Sequence, residues 1–117
     1  MYLRITLGRV KPGHWPELES AYLRHIEGHP ARGLLARWLV RSTSELDVFF
    51  TLSLWNSVAD MEAYERSDAV RRQVLHHIAP HLSGVSTAHH CQFRGDMPLR
   101  PEDLAALFGA PAADTPT

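Results

Sequence analysis

Polar and apolar positions alternate over residues 2–10, with Leu3, Ile5 and Leu7 on one side and Tyr2, Arg4 and Thr6 on the other. A period of two predicts a half-buried strand. Lys11-Pro12-Gly13 is turn chemistry, since proline fixes φ and glycine allows a positive one. Trp15, Leu18, Tyr22 and Ile26 then recur at helical spacing. Pro16 is tolerated in the first turn, where its missing N–H would have had no partner, and Gly28 and Pro30 stop the helix. Residues 34–42 alternate again, setting Leu35, Arg37 and Leu39 against Trp38 and Val40. Residues 47–55 form the most apolar strand, with Val48, Phe50, Leu52 and Leu54 opposite Phe49, Thr51, Ser53 and Trp55. The short polar turn Thr43-Ser44-Glu45 makes these two an antiparallel hairpin.

Ser57 and Asp60 mark a helix start, one as a cap and one near the positive end of the dipole. The helical pattern runs through Met61 and Tyr64, pauses at Ser67-Asp68, and resumes on a stripe of Val70, Val74, Leu75, Ile78 and Leu82. Pro80 should end or kink it, because its ring opposes the carbonyl four residues back. Gly84 precedes a fourth strand, residues 85–93, with Thr87, His89 and Cys91 opposite Ala88, His90 and Gln92. Beyond Gly95 the prolines 98, 101, 111 and 116 punctuate a tail with one short amphipathic candidate, residues 101–108, carrying Leu104, Leu107 and Phe108. The division expected is a folded domain over residues 1–95 and a Pro-rich tail with a short helix over 96–117.

The order β-α-β-β-α-β predicts an α+β, ferredoxin-like antiparallel sheet with its helices on one face. Half of every strand then points to the other face. That face is expected to carry Tyr2, Thr6, Trp38, Val40 and either Phe49 or Phe50, which is too apolar for water. A two-fold homodimer covering it as a dimeric α/β barrel is the expectation.

Composition narrows the function classes. The 117 residues, 44% of them hydrophobic, suffice for one core. Twelve basic against thirteen acidic residues give a net charge of −1, which offers no electrostatic case for nucleic acid or an anionic membrane. Full protonation of the eight histidines would carry the charge to +7, so the chain changes sign mildly below about pH 6.5. One cysteine, Cys91, excludes an internal disulfide and a multi-cysteine zinc site, and it reads as a buried hydrophobe. With no apolar run of membrane-spanning length and no leader pattern after Met1, a soluble cytoplasmic domain is expected.

Leu7-Gly8-Arg9-Val10-Lys11-Pro12-Gly13 before a helix, Phe49-Phe50-Thr51-Leu52-Ser53-Leu54-Trp55-Asn56-Ser57, then Met61-Glu62-Ala63-Tyr64 and Ser67-Asp68 together resemble the antibiotic biosynthesis monooxygenase family. The resemblance covers residues 2–94 and leaves out the tail. It implies a cofactor-independent oxygenase: a phenol or anthrone loses a proton, and its anion reduces dioxygen directly to give a quinone. Such a protein must bury an aromatic substrate, remove a proton and steady an oxyanion.

For that chemistry Tyr22, Tyr64, Trp55 and Phe49 or Phe50 are the candidate aromatic wall, with Thr6 beside them on the first strand. His77 is the first candidate base and His89 the second, while Arg37 or Arg4 would steady the anion. On a wheel of ~100° per residue His77 and His81 border the buried stripe and His76 points to solvent. His89 and His90 lie on opposite faces, so one of the two faces the pocket. The resemblance places Trp55 at the border of the pocket between sheet and helices. The plainer readings are Trp55 as a packing anchor and His77 as a solvated or capping histidine. A metal shared by His77 and His81 is not expected, because Pro80 disturbs the helix between them and no third ligand is specified. No Gly-rich fingerprint suggests a bound dinucleotide.

Haem degradation, found in one subfamily with this fold, is the alternative reading. Carried over residue by residue, its strand-one asparagine falls on Thr6, its helix tryptophan on Tyr64 and its iron-ligating histidine on or near Val74, which cannot ligate iron. A non-catalytic dimeric module is the third reading.

Overall fold

The computed structural model describes residues 1–26, 28–95 and 100–108, without the side chains of residues 103, 104, 107 and 108. Strand β1 (Tyr2–Arg9) leads through a turn at Gly13 (φ 78°) into α1 (Trp15–His25). Hairpin strands β2 (Leu34–Arg41) and β3 (Val48–Trp55) follow. Helix α2 (Val58–Arg66) starts at Ser57, whose Oγ accepts from Asp60 N–H at 3.2 Å and donates to Asp60 Oδ2 at 3.0 Å. The pause at Ser67 is a second helix start, because its Oγ accepts from Val70 N–H at 3.4 Å and opens α3 (Asp68–Gln73). The helix then widens: Val74–Ile78 is a π-type turn, closed by Ala79 N–H donating to Val74 O. A 3₁₀ turn at Ala79–His81 holds Pro80. Strand β4 (Thr87–Gln92) is shorter at both ends than its alternation predicts, and α4 (Pro101–Phe108) forms where the tail's amphipathic pattern sits. The rest of the tail, residues 96–99 and 109–117 with Pro98, Pro111 and Pro116, lies outside the described residues, as do the side chains of Leu104, Leu107 and Phe108.

The sheet order is β2-β3-β1-β4, with every neighbouring pair antiparallel, which is the ferredoxin-like arrangement. The register lines up residues across all four strands. Arg37, Ser53, Arg4 and His90 form one row, and Leu39, Thr51, Thr6 and Ala88 form the next. Because opposed residues share a face, both rows lie on the side that carries Phe49. That side packs on the helices: Val10, Leu18, Tyr22, Ile26, Phe49 and Ile78 make one buried cluster. Gly8 pairs with Phe49, and a Cβ at Gly8 would stand 2.7 Å from two carbons of the Phe49 ring, so glycine is what lets the ring lie flat on β1.

The assignment of β1 to the two faces needs correcting. Tyr2 and Thr6 lie under the helices, and the uncovered face holds Leu3, Ile5 and Leu7 with Trp38, Val40, Phe50, Leu52 and Leu54. Alternation groups residues that share a face but does not say which group meets the helices. The register with β3 decides it. On the uncovered face Trp38 is 45% and Val40 42% exposed.

Candidate functional site

A cavity of about 460 Å³ lies between the sheet and the helices, within the size range of small-molecule sites. Its floor is the two cross-strand rows: Arg4 and Thr6 from β1, Arg37 from β2, Thr51 and Ser53 from β3, with Phe49 beside them. Tyr22 and Ile26 of α1 form one wall, and Tyr64 and Glu65 of α2 another. The roof is apolar and comes from Val70, Val74, Leu75, Ile78 and Leu82, the stripe that the helical spacing predicts. Val74 and Leu75 are 37% and 66% exposed while lining the cavity, so it opens along the π-type turn.

Two ionic arrangements flank the floor. At the β4 side, Glu65 Oε1 lies 2.8 Å from His90 Nε2, and its Oε2 lies 3.1 Å from Arg4 Nε. The Arg4 contact is held by charge rather than by an aligned hydrogen bond, since Arg4 Nε has no well-directed acceptor. Arg4 Nη1 donates to Thr6 Oγ1 at 2.9 Å. At the β2 side, Arg37 Nη1 donates to the carbonyls of Ile26 and His29, which ties the end of α1 to the sheet. The Arg37 guanidinium carbon lies 5.4 Å from the Tyr64 ring centre, and its Nη2 is buried with no partner among the described residues.

Thr6, Tyr22, Phe49, Tyr64 and Arg37 are brought together around this space. Trp55 is not among the lining residues. It is fully buried one layer behind, its Nε1–H donating to Ser53 Oγ at 2.8 Å and its ring tilted against Tyr64 at 5.2 Å. Phe50 and His89 point to the uncovered face, and Cys91 is half-buried on that same face. Of the strand histidines it is His90 that shares the cavity's face. His77 stands outside the cavity, stacked on His25 with ring centres 3.5 Å apart. The wheel of 100° per residue misplaces it because the π-type turn advances less per residue across 74–78. His81 turns toward His14, with their Nδ1 atoms 3.2 Å apart, so His77 and His81 share no site. Loss of water around its ring, then the charges of His77, Arg24 and His29, lowers the pKa of His25.

Glu65, Ser53 and Thr51 escaped the sequence reading. Thr51 and Ser53 carried a signal, being the polar positions on the Phe49–Trp55 side of an otherwise apolar strand. Glu65 carried none, because its role depends on β1 and β4 lying side by side beneath it.

A four-stranded antiparallel sheet with helices on one face and a cavity between them defines a ferredoxin-like α+β protein. A profile of the antibiotic biosynthesis monooxygenases matches residues 1–74, and the chain belongs to that family. No curated protein matches it in sequence. Among solved structures, a Bordetella bronchiseptica protein assigned to the antibiotic biosynthesis monooxygenases superposes with a TM-score of 0.70 at 19% identity, covering 79% of this chain and 95% of its own. One from Deinococcus radiodurans gives 0.70 at 12% identity, covering 86% and 99%. MhuD of Mycobacterium tuberculosis, a heme-degrader solved with two hemes in its active site, gives 0.65 at 22% identity, covering 84% and 100%. These likenesses are likenesses of fold. No helix among the described residues is long and apolar enough to cross a membrane.

Proposed function

We propose that this chain is a monooxygenase that takes a flat phenolic or anthrone-type aromatic into the cavity and oxidises it with dioxygen, without a bound cofactor. The observation that carries the reading is a single carboxylate in a cavity walled by aromatic and aliphatic side chains over a polar floor: Glu65 lines the cavity and lies 2.8 Å from Nε2 of His90, which is 45% exposed. Tyr22, Phe49 and Tyr64 clamp the ring from the sides, and the Val70–Ile78 stripe offers one face an apolar cover. Glu65 receives the substrate proton and His90, 2.8 Å away and partly exposed, passes it to solvent. Arg4, beside Glu65, steadies the resulting oxyanion. The electron-rich anion reduces dioxygen and combines with it. One oxygen atom becomes the new quinone carbonyl and the other leaves as water, so the substrate supplies all four electrons.

Haem fits the cavity poorly. Among the described lining residues there is no histidine, cysteine or methionine to hold iron, tyrosine is the one haem-ligating residue type present, and Val74 presents only methyl groups where the haem-degrading pattern calls for a histidine. The uncovered sheet face, with Trp38 and Val40 exposed on its β2 edge, supports a homodimer built by packing two such faces together.

Oxygen uptake with an anthrone, in the absence of added metal or reductant, tests the reading. Protein-dependent uptake that is lost in Glu65→Gln supports it. Uptake no faster than without protein, across a panel of anthrones and naphthols, overturns it.

A further inference from the structure

The cavity has a neighbour. A second space of about 430 Å³ lies among the end of α1, the loop that follows it, and helices α2 and α3. Its polar lining includes His29, Arg32, Asp60, Ser67 and Gln73, with Pro30, Ala63 and Ala69 beside them. Three residues line both spaces: Ile26 at the end of α1, Tyr64 of α2 and Val70 of α3. They form the wall between the two.

Tyr64 is the largest of the three, and it is held in place. Its ring is tilted against the fully buried Trp55 with centres 5.2 Å apart, and the Arg37 guanidinium carbon lies 5.4 Å from its centre. Arg37 is itself tied to the carbonyls of Ile26 and His29, so one guanidinium positions both the ring and the α1 end of the wall. Packing of this kind leaves a ring little freedom to step aside.

The wall stands in the path of a guest. Glu65 lies over the β1–β4 side of the floor, where it meets Arg4 and His90, whereas Tyr64 lies over β2 at Arg37. Arg37 and Arg4 share a cross-strand row with Ser53 between them, which sets their backbones two strand spacings apart, roughly 10 Å. A phenol whose hydroxyl meets Glu65 and whose rings lie along this row points its far end at Tyr64.

We infer that Tyr64 sets the length of the guest: it admits two rings in line from the reacting hydroxyl and refuses a third, and without its ring the two spaces become one slot. The inference rests on the cavity being the aromatic-substrate site proposed above and adds its size limit. Truncating a wall backed by solid core leaves a small hole. Here the space behind the wall is nearly as large as the cavity in front of it, 430 against 460 Å³.

Titration calorimetry with two probes tests it: 2-naphthol, and 6-phenyl-2-naphthol, which adds a third ring at the end remote from the hydroxyl. Wild-type protein should bind the longer probe at least about tenfold more weakly. Tyr64→Ala should reverse the order, binding the longer probe about tenfold more tightly than the shorter, because the added ring then lies against Pro30, Ala63 and Ala69. Tyr64→Phe, which keeps the ring, should keep the wild-type order. Wild-type affinities within about threefold of each other, or a ratio that Tyr64→Ala leaves unchanged, overturn the inference and leave the aromatic cavity standing. Binding of neither probe to the wild type overturns both. If Tyr64→Ala does not fold, Val70→Ala, at a half-buried wall position, decides the matter. Its ratio should move toward the longer probe by at least about threefold, and an unchanged ratio overturns the inference.

Discussion

Glu65 of α2 and His90 of β4 meet at 2.8 Å across the edge of the sheet, one side chain lining the cavity and the other reaching solvent. The pair joins the cavity to bulk water through a single ionic contact. In the proposed reaction, a proton taken from a guest leaves by this pair.

Glu65→Gln keeps the size and polarity of the side chain but removes its charge. We expect kcat for oxygen uptake to fall by about 10²-fold or more. Stability should change by about 1 kcal/mol at most, since the ion pairs it loses are partly exposed. His90→Gln should lower kcat less, because Glu65 remains in place. Steady-state kinetics alongside thermal unfolding separates the two effects.

Trp55→Phe removes the donor to Ser53 and part of a fully buried ring system. The cost should be about 1–3 kcal/mol, seen as a drop of several degrees in Tm. Because Trp55 lies behind Tyr64 rather than in the cavity, kcat measured well below Tm should stay within about threefold of wild type. A loss of activity with Tm unchanged would place the indole in the chemistry instead.

His25 is harder to protonate in the folded chain than in the unfolded one, through lost solvation and then the charge of His77, Arg24 and His29; His76 lies beyond His77 on the same side. As pH falls below about 6.5, the unfolded chain takes up this proton first, so the group lowers stability there and contributes nothing to the pH dependence above it. Urea unfolding between about pH 5 and 8 should show His25→Gln losing less stability than wild type on acidification. Parallel curves for the two proteins would contradict this.

The uncovered sheet face should hold two copies together. Sedimentation of the wild type is expected to give a dimer, and Trp38→Asp, at an exposed aromatic on that face, is expected to give a monomer with an intact far-UV spectrum. A monomeric wild type at micromolar concentration would leave the face without its proposed partner.

Much of the fold was legible because hydrophobic spacing and turn residues agreed. Strand β3 alternates cleanly, Ser57 and Ser67 both cap where the pattern pauses, and Pro101–Phe108 is helical as its spacing implied. The site was less legible, for two physical reasons. Both faces of this sheet are apolar enough to be buried, so Thr6 and Phe50 were separable by parity but not assignable to a side until β1 was registered against β3. The π-type turn at Val74–Ile78 changes the angular step along the helix, which leaves Val74 over the cavity and carries His77 round to His25. The pairing of Glu65 with Arg4 and His90 joins three elements far apart in sequence, and no local pattern announces it.

The central claim is that substrate electrons alone reduce dioxygen in this cavity. Turnover of an anthrone under ¹⁸O₂, with mass spectrometry of the product, tests it most directly. The account predicts one labelled atom in each quinone, one dioxygen consumed per quinone formed, and no need for metal or reductant. Quinone without label, or label that appears only when a reductant or haem is supplied, would contradict it.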